Sequence, residues 1–290
     1  MRIAVGIASS DRPDVLYRTL EALSRQSRSA DRTLLSLGSE RDISNAASVR
    51  ASGVEIILGD RGLTRQRNAL LAAARDCDLM AFFDDDFVPC ENYLEEAERL
   101  FTTLPRVVLA TGAVLADGKL GPGLTFDFAY KILWEHSGAQ EKLVRPTYNG
   151  YGCNMVVSLA PIRQNGLRFD ERLPLYGWLE DVDFSRQIAR FGEVVEADVL
   201  MGVHLGVKGG RQSGRKLGYS QIANPLYLVL KRTLRSDIAV WLMFRNIIMN
   251  LIRSFNPEPF VDRRGRLVGN AMGLRDLFMY RLTPERAQDI

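Results

Sequence analysis

Short apolar runs alternate along the first two-thirds of the chain with longer stretches whose apolar positions recur every three or four residues. "RIAVGIAS", "RTLLSLGS", "VEIILGD", "LMAFF" and "VVLATGAVL" have the length and continuous apolar character of strands buried in a parallel sheet. Between them, Pro13 suits the first turn of a helix, and Leu16, Leu20 and Leu23 follow at i, i+4 and i+7. Thr64 is expected to cap a second helix through "TRQRNALLAAA", which is rich in strong helix formers. This alternation predicts an α/β fold with helices on both faces of a parallel sheet. After Leu115 the pattern loosens into a glycine-rich loop, "ADGKLGPGLTF". Beyond His204 a second, basic loop, "GVKGGRQSGRKLG", precedes a helical region, so the expected division is 1–204 and 205–290.

In that last region "DIAVWLMFRNIIMNLIRSF" carries a polar stripe of Asn246, Asn250 and Arg253 beside a broad apolar side with Trp241 and Phe244. It is shorter and more polar than a spanning helix, which needs about 20 predominantly apolar residues. Two readings stay open. With Lys231, Arg232, Arg235, Arg263, Arg264 and Arg266 around it, the amphipathic helix suits an anionic membrane interface. Equally, it would pack on the preceding domain or on a second subunit, which makes a homodimer an open expectation.

Composition adds little to class but much to charge. The 290 residues are 46% hydrophobic, ample for a sizeable core. The net charge of +3 hides an asymmetry: from Leu205 onward there are 15 Lys or Arg against 6 Asp or Glu, so the rest of the chain is net acidic. The basic end calls for an anionic partner. Its residues form no recognisable nucleic-acid motif, so nucleic acid is not expected. The start, "MRIAVGIASSDRP", has too short an apolar run for a secretory signal, which predicts a cytoplasmic protein, at most peripheral at the inner membrane face. Cys77, Cys90 and Cys153 have neither metal-type nor disulfide-type spacing and are expected to be reduced thiols.

The chemistry gathers in two acidic groups. "FFDDDFV" sets Asp84, Asp85 and Asp86 directly after a strand-like run. If the strand persists, Asp84 and Asp86 share one face, at the end of a parallel strand where α/β sheets bind ligands. A hard divalent cation would relieve their repulsion. A solvated strand end or a helix cap before "CENYLEEAERL" fits the triplet alone as well. The second group, "GWLEDVDFSRQIARFG", opens a helix with Glu180 and Asp181 in its first turn, which would also merely complement the helix dipole.

In this order, "SSDRPDVLYRTLEAL", "DRGLTRQRNALLAAA", "FFDDDFVP", "GYGCNMVV", "GWLEDVDFSRQIARFG" and "GVHLG" resemble the inverting glycosyltransferases of family two, over roughly Arg2 to His204. The resemblance implies the GT-A fold, a Rossmann-like, mixed, mainly parallel sheet flanked by helices, here with a helical C-terminal extension. It places Ser9, Arg12 and Arg67 near the donor nucleotide and its diphosphate. Asp84, near the ribose, and Asp86, the chief metal ligand, become an Asp-x-Asp motif with Asp85 between them. Gly152, Cys153 and Asn154 line the sugar and acceptor cleft, and Asp181 is the catalytic base, with Glu180 orienting it or the acceptor. Trp178 becomes a platform for a sugar ring, although a core or interface tryptophan reads equally well. His204 completes the metal shell, although a lone histidine after an apolar run is commonly structural.

The implied cofactor is Mn²⁺ or Mg²⁺, and the implied enzyme is a hexosyltransferase. Its donor is a nucleotide-diphosphate sugar, a UDP-sugar first, and its acceptor is a saccharide or a lipid-linked saccharide of bacterial surface polysaccharide assembly. One departure concerns the base. The second strand ends "LLSLGSERD", without the family's base-reading aspartate, and Asp42 comes several residues late. Lys208, Arg211, Arg215 or Lys216 would close over the phosphates. Two other classes remain: a sugar-phosphate nucleotidyltransferase, whose basic glycine-rich loop is not found in "ASSDRPD", and a catalytically degenerate binding subunit.

Overall fold

The computed structural model describes residues 1–136, 143–208 and 213–290. They pack as two units. One takes the described residues of Met1–Arg61, Arg65–Arg168 and Gln187–Gly210, the other those of Gly62–Thr64, Phe169–Arg186 and Arg211–Ile290. A division after His204 overlaps this grouping without coinciding with it, because 62–64 and 169–186 pack with the C-terminal helices.

The first unit is built on a nine-stranded sheet. Strands β1 (Ile3–Ser9), β2 (Arg32–Leu37), β3 (Val54–Leu58) and β4 (Leu79–Asp84) run parallel and coincide with the first four apolar runs. Ile3, Val5, Ile7, Leu79, Ala81 and Phe83 are all buried, as are Ala4, Met80 and Phe82 between them, so neither face of the central β1 and β4 meets water, while the edge strand β3 is partly exposed. After β4 the chain turns at Asp85 and Asp86 into the short β5 (Phe87–Pro89), followed by β6 (Val107–Asp117), β7 (Val144–Pro146), β8 (Asn154–Ser158) and β9 (Glu193–His204). The sheet order is β3-β2-β1-β4-β8-β6-β9-β5, with β7 also on β9. Because β8 runs antiparallel to β4 and β6, the sheet is mixed, as the resemblance implied.

Helix α1 (Pro13–Leu23) starts at Pro13 and buries Leu16, Thr19 and Ala22. Helices α2 (Ala46–Ala51), α3 (Leu63–Ala73), α4 (Tyr93–Thr103), α5 (Phe126–Glu135) and α6 (Leu159–Asn165) follow. Two local expectations change. Thr64 lies inside α3, not before it, and its hydroxyl donates to the Leu173 carbonyl (3.2 Å). Strand β6 runs on to Asp117 and takes in the first two residues of the expected loop, because β9 pairs with it as far as Asp117 opposite His204.

In the second unit, α7 (Glu180–Ile188) opens at Glu180 as expected. Asp183 in its first turn is fully buried and accepts from Lys231 (2.7 Å) and Thr233 (2.6 Å), so it anchors the end of α8 (Gly214–Lys231). Arg215 and Lys216, expected in a loop, sit in the first turn of α8, and Lys216 donates to the Gln288 carbonyl. Arg211 lies outside the described residues.

Helix α9 (Ser236–Arg253) and helix α10 (Arg263–Phe278) complete the unit. Helices α8 and α10 approach closely where Gly218 faces Arg266 and Gly269 faces Arg215. A Cβ at either glycine would lie 2.1 Å from a carbonyl oxygen of the other helix. A spacing of four, Gly214 and Gly218 against Gly265, Gly269 and Gly273, keeps the glycines on one side of each helix. Among the described residues no helix is long and apolar enough to cross a membrane.

Candidate functional site

Strands β1, β2 and β4 stop at a common level, with Ser9 opposite Leu37 and Ala8 opposite Asp84. This is the carboxyl edge of the parallel strands, where α/β sheets bind ligands. The strand ends at Asp84, and the turn sends the next two carboxylates in different directions. Asp85 turns inward and accepts from the Ser9 hydroxyl (2.5 Å) and the Arg12 guanidinium (2.8 Å). Burial pushes its pKa up to about 7, against the pull of Arg12 and with help from Asp86. Asp86 meets Arg12 (3.3 Å), the Val207 N–H (2.8 Å) and His204 Nε2 (3.3 Å). Burial would raise its pKa, but His204, Arg12 and the Val207 N–H hold it below the usual carboxylate range. Asp84 pairs with Arg67 (3.2 Å), a buried guanidinium that also donates to the Gly152 carbonyl (2.6 Å). Arg12, Arg67 and His204 thus already supply part of the positive charge that three adjacent aspartates require.

Asp84, Asp86 and His204 still turn one ligand atom each into a common space, all within 4.8 Å of one another. Two carboxylate oxygens and an imidazole nitrogen suit Mn²⁺ well, and Mg²⁺ through the oxygens. Behind His204 stands a residue the motifs did not single out. Asp117 accepts from His204 Nδ1 (2.9 Å), and it also accepts from the Tyr151 hydroxyl (2.9 Å) and the Lys119 N–H (2.9 Å). A carboxylate on Nδ1 turns Nε2 toward Asp86, the usual way a ligating histidine is oriented. Burial disfavours charge on His204, but Asp117, Asp86 and Asp84 outweigh it and raise its pKa to about 10. Asp117 is correspondingly held well below the usual range: burial opposes this, but the His204, Lys119 and Tyr151 contacts prevail. A cavity of about 260 Å³, lined by Thr111, Thr147, Asn149 and Glu196, shares Tyr151 with this cluster.

Of the expected site residues, Ser9, Arg12, Arg67, Asp84, Asp85, Asp86 and His204 come together here. Asn154 does not line a cleft. It is fully buried, its amide donating to the Gly112 carbonyl (3.1 Å) and accepting from the Thr111 hydroxyl (2.9 Å), so it ties β8 to β6. Lys208 caps the Gly118 and Lys119 carbonyls at 3.0 and 2.9 Å. Asp42 is buried too, and accepts from the N–H groups of Asp11 and Ser39 and from Arg61. It braces the loops after β1 and β2.

Trp178, Glu180 and Asp181 belong to the second unit and share one tightly wound turn there. Leu175, Gly177 and Leu179 all have left-handed backbone (φ 67°, 62° and 73°), a conformation that costs a leucine roughly 1–3 kcal/mol. Glu180 is buried, Trp178 and Asp181 are half-buried, and an Asp181 oxygen accepts from the Val182 N–H (2.8 Å). Strain concentrated just before two carboxylates is characteristic of functional turns.

No protein-family model matches this sequence, and neither does any curated protein. Its fold does have counterparts among solved structures. S. aureus TarS 1-349 superposes with a TM-score of 0.58 at 12% identity, over 99% of this chain and 82% of that one. The mannosyltransferase PcManGT from Pyrobaculum calidifontis, in complex with GDP-Man and Mn²⁺, gives 0.56 at 12%, over 99% and 84%. GalNAc-T7, solved with UDP, GalNAc and Mn²⁺, gives 0.57 at 11%, over all of this chain and 56% of that one. At these identities the likeness is one of architecture, and the fold of this chain is GT-A-like.

Proposed function

We propose that the chain is a metal-dependent, inverting glycosyltransferase of family two, transferring a sugar from a nucleotide-diphosphate donor to an acceptor hydroxyl. The observation that carries this reading is the convergence of Asp84, Asp86 and His204 at the carboxyl edge of a GT-A-like sheet. The structural counterparts support the donor class: TarS has been crystallised with UDP and with UDP-GlcNAc, and PcManGT with GDP-Man and Mn²⁺. A UDP-sugar is the first donor to test. The acceptor fitting the basic C-terminal region is a saccharide, lipid-linked, of bacterial surface polysaccharide assembly.

Asp84, Asp86 and His204 would hold Mn²⁺ or Mg²⁺, which when bound balances the charge that develops on the departing diphosphate. The chain's own groups prepare the site. Ser9 and Arg12 keep Asp85 turned inward, Arg12 and the Val207 N–H orient Asp86, and Asp117 aims His204. Asp181 takes the proton of the attacking hydroxyl, a role that contributes about 10²–10⁴-fold. Attack opposite to departure inverts the anomeric centre. Because the diphosphate leaves without protonation by a second carboxylate, the arrangement differs from the acid pair of a glycosidase.

Calorimetric titration of UDP, GDP and dTDP with and without Mn²⁺, on wild type and Asp86→Ala, tests the reading. Metal-dependent binding of one nucleotide, abolished in the variant, is the expected result. Absence of binding for all three with metal would overturn it. Asp181→Asn should keep donor affinity within about twofold and slow transfer at least about 100-fold. Unchanged turnover would remove Asp181 from the base role.

A further inference from the structure

We propose that the outward face of α9 is a docking surface for an anionic lipid bilayer, a property that does not depend on the transfer reading. Unlike an ordinary surface helix, which turns its apolar side inward, this one sets large apolar side chains outward and buries a polar one on its inner side along with Ala239. On its inner side Asn250, 1% exposed, donates to Gln221 Oε1 and Asn270 Oδ1 (both 2.9 Å) and accepts from Arg263 (3.3 Å). On its outer side Val240, Trp241, Phe244 and Ile252 are between 56% and 64% exposed, and Phe255 just past the helix is 82% exposed. Single exposed apolar side chains are ordinary, but a continuous stripe along a helix marks a surface meant to be covered. A shallow apolar groove of about 570 Å³ lies along Val240, Trp241 and Phe244.

Charge selects the occupant. Arg245 stacks over Trp241 (4.6 Å), and the exposed Arg253 and Arg264 lie toward the other end, Arg264 on the Ser254 carbonyl (3.2 Å). The single acidic residue of α9, Asp237, is paired with Arg235 (2.6 Å). An apolar stripe edged by arginines, with tryptophan beside them, complements acyl chains below and anionic headgroups above. A second copy seated by twofold symmetry about the middle of the helix would instead bring Arg245 toward its own copy. At 18 residues α9 is about 27 Å long, and it lacks the apolar circumference for crossing, so it lies flat.

The test is flotation of the full chain with vesicles of phosphatidylglycerol and phosphatidylethanolamine, and with pure phosphatidylcholine vesicles. Expected are at least about tenfold stronger binding to the anionic vesicles, weakening in high salt, and at least about tenfold loss in Trp241→Ser/Phe244→Ser. Arg245→Glu/Arg253→Glu should abolish the lipid preference while leaving the apolar face intact. Circular dichroism and size-exclusion of each variant separate a docking defect from unfolding and report the oligomeric state. Failure of wild type to bind either vesicle, equal binding by the folded serine variant, or a dimer that this variant splits would overturn the proposal.

Discussion

In the sheet unit the interior is apolar, with Ile3, Ile7, Phe82 and Phe83 at 0–2% exposure, and charge gathers where β1, β4 and β9 stop. The helical unit also buries Phe184, Tyr219, Ile222 and Leu228, but it sets Gln221, Asn250, Asn270 and Asp276 among them, while Trp241, Phe244, Phe255 and Phe278 face outward. A buried polar group destabilises unless paired, so each unit must satisfy its own. The sheet unit does so with ion pairs gathered at its strand ends, the helical unit with ion pairs on Asp183 and Asp276 and with amide contacts among Gln221, Asn250 and Asn270. The first arrangement leaves chemistry available at an edge. The second leaves large apolar side chains exposed on α9 and α10.

The severest way to break the contrast is Gly269→Ala. Its Cβ would meet the Arg215 carbonyl at 2.1 Å, and a carbonyl inside a helix cannot rotate away, so α8 and α10 must separate. The expected loss is about 3 kcal/mol, the upper end for overpacking, seen as a fall in the melting of the helical unit. Mn²⁺ binding by the sheet unit should survive. A variant as stable as wild type would show that the helices do not depend on this approach.

Asp117→Ala probes the sheet unit. Removing the carboxylate that orients His204 should weaken Mn²⁺ binding about 10–100-fold, measured by electron paramagnetic resonance of the free ion. Asp117→Asn, which keeps an acceptor oxygen, should recover part of that. Equal affinity in all three proteins would make Asp117 a mere strand-end residue.

The contrast also explains what was legible in the sequence. Buried parallel strands are continuous apolar runs, so β1, β2 and β4 could be read directly, the edge strand β3 shared their apolar character, and Pro13 marked α1. Asp84, Asp86 and His204 stood out because carboxylates and a rare histidine follow apolar runs. Asp117 did not, because its partner lies 87 residues away and only the β6–β9 register sets them opposite. Asn154 was misjudged for the reverse reason: a motif position says nothing of whether a side chain faces a cleft or a neighbouring strand. In the helical unit the polar stripe through Asn250 was visible, but its direction was not. Periodicity finds the two sides of a helix, and only the packing partner decides which side is inside. Here the partners are Gln221 and Asn270, polar residues distant in sequence.

Asn250→Leu sharpens that point. The substitution leaves Asn270 Oδ1 without the donor it has from Asn250 and removes one donor from Gln221, although Asn270 still reaches Gln221 (3.2 Å). A loss of about 1–2 kcal/mol in denaturant unfolding is expected despite the more apolar side chain. A stabilised variant would mean that the amide contacts of Asn250 contribute less than apolar packing at the same position.

The gentlest test uses pH, because His204 of the sheet unit titrates in the accessible range while the buried amides of the helical unit do not ionise. His204 is raised from its ordinary 6.5 to about 10, so in the metal-free protein its ion pairs stabilise fully below pH 6.5. That stabilisation is lost as pH rises toward 10, giving a falling melting temperature over this window. Mn²⁺ requires the neutral imidazole and must displace the proton, so its affinity should change in the opposite sense, tightening by about tenfold per pH unit between 6.5 and 8.5. Gln221, Asn250 and Asn270 do not ionise, and their contribution to the helical unit should stay flat. Isothermal titration of Mn²⁺ at three pH values, beside melting curves of the metal-free chain, reads both slopes. Parallel slopes, or none, would show that His204 is not the group Mn²⁺ competes for.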